Sequence, residues 1–177
     1  MKFTGIFLAF ILLISASYSS CAFGPNKSSG VISYRDAKVY LKPGIYYRVG
    51  PLSQEWRRMR TGVKAISFYN ERLKASLTTS AFCGRSASDK QITFAAGRVV
   101  DVLSARTVTD HGKFTLGGRG AMRQNVIGEL DGVRVAMDLV VVRKDACVFD
   151  FYAIEPEVIS PEVKSAFETF FGDFEYE

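Results

Sequence analysis

The dipeptide Asp131-Gly132 constrains the fold of this 177-residue chain more than any other feature of the sequence. It lies between two strand-like runs, residues 120–130 and residues 133–143. Both positions of a tight two-residue hairpin turn need a positive φ, which Asp tolerates and Gly adopts readily. In the second run, apolar residues recur at every other position, as on a strand that turns one face to a core. The sequence therefore predicts an antiparallel hairpin of two long strands.

A third strand is predicted directly after the hairpin, over residues 147–154. A polar turn at Lys144-Asp145 separates it from the second strand. Side chains alternate between the faces of a strand, and both faces of this one are largely apolar, which is typical of a central strand covered on both sides. Residues 65–69 and 75–83 predict two further strands. The segment 31–49, rich in Tyr and Val, is also predicted to be extended.

Two segments have the spacing of apolar residues that indicates an amphipathic helix. The first begins with a capping box formed by Ser88 and Gln91. The second begins at Ser160 and Pro161 and ends at Gly172, all favoured residue types at those positions. The apolar stripes are Ile92, Ala96, Val99 and Leu103 in the first helix and Val163, Ala166, Phe167, Phe170 and Phe171 in the second. The predicted fold class is α+β, an antiparallel β-sheet sandwiched by helices in an α/β/α arrangement.

The first 21 residues have the pattern of a signal peptide. Lys2 is followed by an apolar run over residues 6–14 and then by small polar residues. The run is short for a transmembrane helix, so an uncleaved membrane anchor is the less favoured alternative. We therefore expect a signal peptide over residues 1–21, a linker over residues 22–30 and a single α+β domain over residues 31–177.

Two cleavage sites compete at the end of this leader. Residues 18–21 resemble a bacterial lipobox, which predicts lipidation of Cys21 as the first mature residue; Tyr18 departs from the aliphatic residue usual there. Residues 20–22 also suit the peptidase of soluble export. The lipoprotein interpretation places the protein in the bacterial cell envelope, anchored to the membrane by lipid and facing the periplasm. The linker that follows Cys21 has the composition of a flexible tether.

The charge of the mature chain is mild. Removing residues 1–21 leaves 22 basic and 18 acidic residues, an excess that permits contact with anionic lipid headgroups but is far below the footprint of a nucleic-acid-binding protein. A local basic-aromatic cluster contains Trp56, Arg57, Arg58 and Arg60, with Lys64 nearby. It is a candidate contact for headgroups or an acidic partner. The alternative is a core Trp56 surrounded by solvated arginines.

Two cysteines remain in the folded part, Cys83 and Cys147. An even pair in an exported chain predicts one disulfide, and a pair of buried free thiols is the alternative. The 63 residues between them exclude a thioredoxin-like CxxC motif.

No catalytic or metal-binding constellation is recognisable. His111 is the single histidine, in a segment that reads as a turn, and a zinc site needs several ligands. The glycine-rich segment 117–120 lacks the Lys-Ser/Thr of a phosphate-binding loop. Asp150 is expected to pair with Arg134 or Arg143 or with backbone amides at a sheet edge; a general acid or base with a raised pKa is the alternative. The sequence thus predicts no catalytic residue, no metal and no cofactor.

Several motifs together resemble a group of uncharacterised bacterial exported lipoproteins. The motifs are residues 47–52 followed by Trp56, a strand ending at Cys83, residues 130–133, and residues 144–151 with Phe149 where the group has Tyr. The resemblance spans about residues 46 to 171. It implies a Mog1/PsbP-like fold, an antiparallel sheet between helices. Proteins of that fold are mostly binding or assembly modules without catalysis, which is an analogy of fold and not of site.

These observations favour a non-enzymatic cell-envelope lipoprotein that binds or scaffolds an unknown envelope protein. An alternative is a periplasmic carrier of a small apolar ligand or lipid, suggested by the 14 phenylalanines. A third is an enzyme centred on Asp150 or His111.

Overall fold

A computed structural model describes most of the folded part of the chain, and the following ranges are those it covers. They are residues 30–31, 33–42, 44–60, 65–83 and 90–177. The predicted signal peptide, Cys21, the linker up to residue 29, Lys64 and the Ser88 cap lie outside the described residues.

Ten strands and two helices are present in the described residues. They are β1 Ser33–Arg35, β2 Lys38–Lys42, β3 Ile45–Arg48, β4 Trp56–Met59, β5 Ala65–Asn70, β6 Ala75–Cys83, α1 Lys90–Val100, β7 Ser104–Leu116, β8 Arg119–Leu130, β9 Val133–Lys144, β10 Cys147–Pro156 and α2 Pro161–Gly172. Strands β4 to β10 form one seven-stranded antiparallel sheet in the order β4-β5-β6-β10-β9-β8-β7. The predicted antiparallel sheet is confirmed, and β10 is its middle strand.

The hairpin that the sequence predicts at residues 131–132 joins β8 and β9. Asp131 and Gly132 have φ values of 50° and 80°, and Leu130 pairs with Val133 across the turn. From this turn the register runs without a shift to Ala121, which pairs with Val142.

Strand β7 corrects the sequence analysis, which assigned His111 to a turn. His111 lies within this 13-residue strand and pairs with Gln124 of β8. All residues from 104 to 113 are exposed, so no apolar alternation marks the strand. The glycine-rich segment is a second hairpin turn, in which Gly117 and Gly118 have φ values of 54° and 72°.

Two apolar clusters cover opposite faces of the large sheet, because β10 gives alternate residues to each: Phe149 and Phe151 to one, Val148 to the other. Helix α2 packs in the first cluster and α1 in the second. The three-stranded sheet β1-β2-β3 shares the first face with α2 through residues such as Val39 and Tyr47. The predicted arrangement of helices on both faces is thus met in part, since one layer is mixed helix and strand.

Most of the described phenylalanines behind the apolar-ligand alternative belong to this core, whereas Phe82 and Phe94 are exposed. Phe149, Phe151, Phe167 and Phe170 have no solvent exposure. Ring centroids of Phe151 and Phe170 lie 6.2 Å apart, and those of Phe149 and Tyr47 lie 5.0 Å apart. These rings fill the first cluster by edge-on packing.

Helix α2 follows its predicted signals. The Ser160 side chain accepts a hydrogen bond from the amide of Val163, with Pro161 in the first turn. The chain also passes close to this helix at Gly50, whose amide donates to the Phe170 carbonyl. A Cβ atom at position 50 would lie 1.9 Å from the Thr169 carbonyl oxygen, so this approach requires glycine.

Candidate functional site: a basic sheet edge and a charged groove

The basic cluster from the sequence lies on β4, one edge of the seven-stranded sheet, and on Arg60 directly after it. Arg57, Arg58 and Arg60 are exposed, whereas Trp56 keeps only 8% of its surface and packs in the first core cluster. The ring of Trp56 therefore supports the strand from within, and the three arginines form its outer surface. We call Arg57, Arg58, Met59 and Arg60 the basic edge.

Contacts around the basic edge leave its positive charge largely intact. Arg58 donates to the backbone carbonyl of Tyr34 at 3.3 Å, and its guanidinium lies 5.6 Å from the Tyr34 ring. The nearby carboxylate of Glu55 accepts from Arg72 at 3.2 Å, and Arg72 also binds Glu162 on α2. Met59 is 45% exposed beside the arginines. The edge therefore offers cations around one apolar side chain.

A charged groove lies near the opposite edge of the sheet, with Arg123 and Asp138 as its floor. Asp138 keeps 3% of its side-chain surface exposed, and its two oxygens accept from Arg123 Nε at 2.9 Å and Nη2 at 2.5 Å. Arg123 Nη1 reaches Glu168 of α2 at 3.2 Å. The hydrogen bonds that Arg123 donates to Asp138 raise the pKa of Arg123. This two-point pairing fixes the guanidinium plane.

The walls of the groove come from two separate parts of the chain. One wall is β7 and β8, with Thr109, Asp110 and Asn125; the other is the β10–α2 connection and the start of α2, with Glu157, Val158 and Lys164. The groove has a cavity volume of about 370 Å³. Its walls carry both charge signs over a floor held in place by a buried ion pair.

Asp150 does not have the expected arginine partners. The hydroxyl of Ser80 on β6 donates to the Asp150 carboxylate, at 2.7 Å from Oδ1 and 2.8 Å from Oδ2. Burial raises the pKa of Asp150, and the hydrogen bonds from Ser80 oppose that rise. Ser80 lies directly opposite Asp150 in the β6–β10 ladder, so the partner is set by register. The expectation of an arginine partner was wrong, and the expected backbone-amide partner is that of Ser80, in the centre of the sheet and not at its edge.

The two cysteines meet in the same ladder. Cys83 and Cys147 are paired residues of β6 and β10, with Cα atoms 4.0 Å apart, and they form a disulfide. The hydroxyl of Tyr176 lies 3.6 Å from Cys147 Sγ. The bond thus fastens the junction between β6 and β10.

This junction also separates two halves of opposite charge, which the sequence analysis missed. Residues 30–83 carry ten Lys or Arg and three Asp or Glu, whereas residues 84–177 carry eleven and fifteen. The first set forms β1 to β6 and the second forms both helices and β7 to β10. We call these the basic half and the acidic half. A count of charge along the sequence would have found the division. The strand order places it across the seven-stranded sheet, whereas α2 and the C-terminal residues of the acidic half contact the basic half through the pairs Arg72–Glu162 and Arg48–Glu175.

The Arg123–Asp138–Glu168 group was also missed. Its signal was present: the Asp131-Gly132 turn sets a register in which Arg123 opposes Val140 and Asp138 opposes Asn125, on one face of the hairpin. Among the described residues, no three His, Cys, Asp or Glu side chains are grouped so as to hold a metal ion. Over the same part of the chain, none of the helices has the length and apolarity to cross a bilayer.

Comparison with solved structures identifies a PsbP-like fold. LpqN of Mycobacterium tuberculosis, described as involved in cell envelope biogenesis, matches with a TM-score of 0.56 and 15% identity over 75% of this chain and 85% of that one. PsbP (CyanoP) of Synechocystis sp. PCC 6803 matches with a TM-score of 0.52 and 11% identity over 87% and 96%. Identities this low establish the fold alone.

A longer protein from Bacteroides thetaiotaomicron also shares the fold. It matches with a TM-score of 0.54 and 14% identity over 74% of this chain, which spans 45% of that protein's length. No protein-family model and no curated protein sequence matches the chain.

Proposed function

We propose that this protein is a non-enzymatic cell-envelope lipoprotein, anchored through a lipid on Cys21, whose folded domain is a binding or scaffold module facing the periplasm. The observation that carries the proposal is the charged groove, whose floor is fixed before any partner arrives. A preorganised polar surface lowers the entropic cost of association. The partner that suits it is an envelope protein with complementary charged and polar side chains.

The fold supports the same proposal. LpqN, a neighbour in fold, is described as involved in cell envelope biogenesis, and the lipoprotein-type leader predicted from the sequence would direct this chain to the cell envelope. The core also favours a binding surface over a carrier of apolar ligands, because the phenylalanines of α2 and β10 are packed against one another.

Site-specific photo-crosslinking in intact cells tests the groove. A photoreactive residue replaces Val158, which is 67% exposed at the groove wall, or Val133, which is 58% exposed beside the Asp131-Gly132 turn. We expect a discrete adduct with an envelope protein from position 158 and none from position 133. Equal labelling at both positions, or an adduct only at 133, would contradict binding through the groove.

The anchor is tested by the intact mass of the protein recovered from cell envelopes. A mass that begins at Cys21 with added acyl chains is expected. A mass that begins at Phe23, or one that retains the leader, contradicts the lipid anchor.

A catalytic role is tested at the two residues that the enzyme alternative requires. We expect His111→Ala and Asp150→Asn to leave the cellular function of the protein unchanged. A hydrolytic or redox activity that either substitution abolished in a still-folded protein would overturn the non-enzymatic assignment.

A further inference from the structure

We infer that the domain docks onto an anionic lipid surface through the basic edge, so that the β4 side of the sheet faces the bilayer and the charged groove faces away from it. This inference rests on the proposed membrane anchor and adds an orientation to it. In this orientation the basic edge binds lipid headgroups, and the charged groove binds protein partners.

The charge distribution is the first observation behind the inference. Residues 30–83 have a formal net charge of +7, from ten cations and three anions, and residues 84–177 have a net charge of −4, from eleven cations and fifteen anions. A dipolar domain near an anionic surface turns its positive side toward that surface. The effect acts within about 10 Å at moderate salt, so the residues that matter are those at the outermost edge.

The composition of that edge is the second observation. Arg57 and Arg58 are exposed on the four-residue edge strand, Arg60 is exposed directly after it, and Met59 exposes 45% of its surface between them. Cations can bind phosphate groups of lipids while a flexible apolar side chain enters the interfacial region. A lipid surface suits this edge, because its headgroups bind the cations and its interfacial region accepts the apolar side chain of Met59.

The path of the chain is the third observation. Arg58 donates to the carbonyl of Tyr34, so β1, the first described strand, lies beside the basic edge. Eleven residues separate Cys21 from Ser33, and an extended chain spans at most about 3.5 Å per residue. A lipid on Cys21 therefore holds the basic edge within about 40 Å of the bilayer.

The strand order then places the groove. Six strand intervals separate β4 from β7, and neighbouring strands are about 4.8 Å apart, so the far edge stands roughly 29 Å from the basic edge. An edge-on domain therefore presents the wall formed by β7 and β8 to the periplasm. Headgroup binding and partner binding then use different surfaces.

The single tryptophan of the chain reports on this orientation, because Trp56 is in β4. The experiment reconstitutes the full chain into vesicles that contain a dansyl-labelled lipid and either phosphatidylglycerol or phosphatidylcholine. Energy transfer from Trp56 to the label is then measured. We expect at least twofold higher transfer in phosphatidylglycerol vesicles, and we expect 0.5 M salt (about a 4 Å screening length) to remove the difference.

Matched triple variants separate the basic edge from overall charge. Arg57→Gln, Arg58→Gln and Arg60→Gln together should reduce the transfer in phosphatidylglycerol vesicles to the phosphatidylcholine level. Arg98→Gln, Arg119→Gln and Arg134→Gln remove three exposed arginines of the acidic half and should leave it unchanged. Thermal unfolding followed by circular dichroism confirms that each variant is folded.

The outcomes distinguish the inference from the proposed anchor. Co-sedimentation with both kinds of vesicle, combined with equal transfer in both, overturns edge-on docking and leaves the anchor standing. Equal loss of transfer in the two triple variants also overturns docking by this edge. Failure to co-sediment with either kind of vesicle contradicts both the anchor and the docking.

Discussion

The basic half and the acidic half share the seven-stranded sheet and the first apolar cluster but differ in surface charge. Phe68 and Leu77 of the basic half and Phe149 and Phe151 of the acidic half belong to the same apolar cluster. The apolar cluster is therefore continuous across the β6–β10 junction, whereas the net charge differs in sign between the two halves. Packing requires only that inward-facing positions are apolar, so it leaves the charge of the two outer surfaces unconstrained.

The two edges of the sheet show the same contrast. Strand β4 has four residues and ends the basic half; β7 has 13 residues, with register shifts between Ser104 and Thr107 and between Val108 and Asp110. Short length with charge, and irregular pairing, both hinder edge-to-edge aggregation. The short charged edge remains free to meet a flat surface, and the long edge forms a wall of the groove.

The disulfide should have the largest effect on stability, because it fastens one half to the other. Cys83→Ala and Cys147→Ala are each expected to lower the free energy of unfolding by about 4 kcal/mol on the chain-entropy estimate for a loop of this length. The double variant should lose no more than either single variant. Urea unfolding measures the three values, with Cys21→Ala as a control that leaves the domain unchanged. Additive losses would argue against the bond.

The buried ion pair of the acidic half comes next. Asp138→Asn leaves Arg123 with only the half-exposed Glu168 as an anionic partner and should cost about 3 kcal/mol of unfolding free energy. Asp145→Asn, an exposed change in the β9–β10 turn, is the matched control and should change little. Replacing the pair together, by Arg123→Met with Asp138→Leu, should recover most of the loss. If Asp138→Asn lowers the free energy of unfolding no more than the control does, the Arg123–Asp138 pair does not stabilise the floor of the groove.

The cap of α2 should have a smaller effect. Ser160→Ala removes the acceptor for the Val163 amide and should lower the free energy of unfolding by about 1 kcal/mol. Ser160→Asn keeps a capping oxygen and should lose much less. Chemical unfolding of both variants compares them directly, and equal losses would show that the cap hydrogen bond contributes nothing.

The raised pKa of Asp150, at the junction of the two halves, should make the stability of the fold depend on pH. Its pKa in the folded state lies above the ordinary value of 3.8, so the folded state favours the protonated form. That stabilisation is complete below the ordinary pKa and is lost as the pH rises through the folded pKa. Wild-type protein should therefore lose stability relative to Asp150→Asn as the pH rises from 4 to 7.

A companion variant sharpens this test. Ser80→Ala removes hydroxyl hydrogen bonds that favour the ionised carboxylate, so it should increase the loss of stability with rising pH. Unfolding titrations at several pH values measure both effects. Parallel pH profiles for wild type, Asp150→Asn and Ser80→Ala would contradict the raised pKa.

The elements that bury one face against the core could be predicted from the sequence. Asp131-Gly132 predicted the β8–β9 turn because positive φ restricts the residue types, and the phenylalanine stripe predicted α2 because it faces a core. Strand β7 could not be predicted, since its exposed residues have no apolar period. The partner of Asp150 was misassigned for a different reason: Ser80 is 70 residues away and only the pairing of β6 with β10 places it there.

Hydrogen–deuterium exchange of the full chain on vesicles most directly tests whether the basic edge contacts the membrane while the β7 edge does not. The measurement compares peptides that cover residues 56–60 with peptides that cover residues 104–116, on phosphatidylglycerol and on phosphatidylcholine vesicles. We expect slower exchange on the anionic vesicles at residues 56–60 and no change at residues 104–116. Slower exchange at residues 104–116, or unchanged exchange at both segments, would contradict docking through the basic edge.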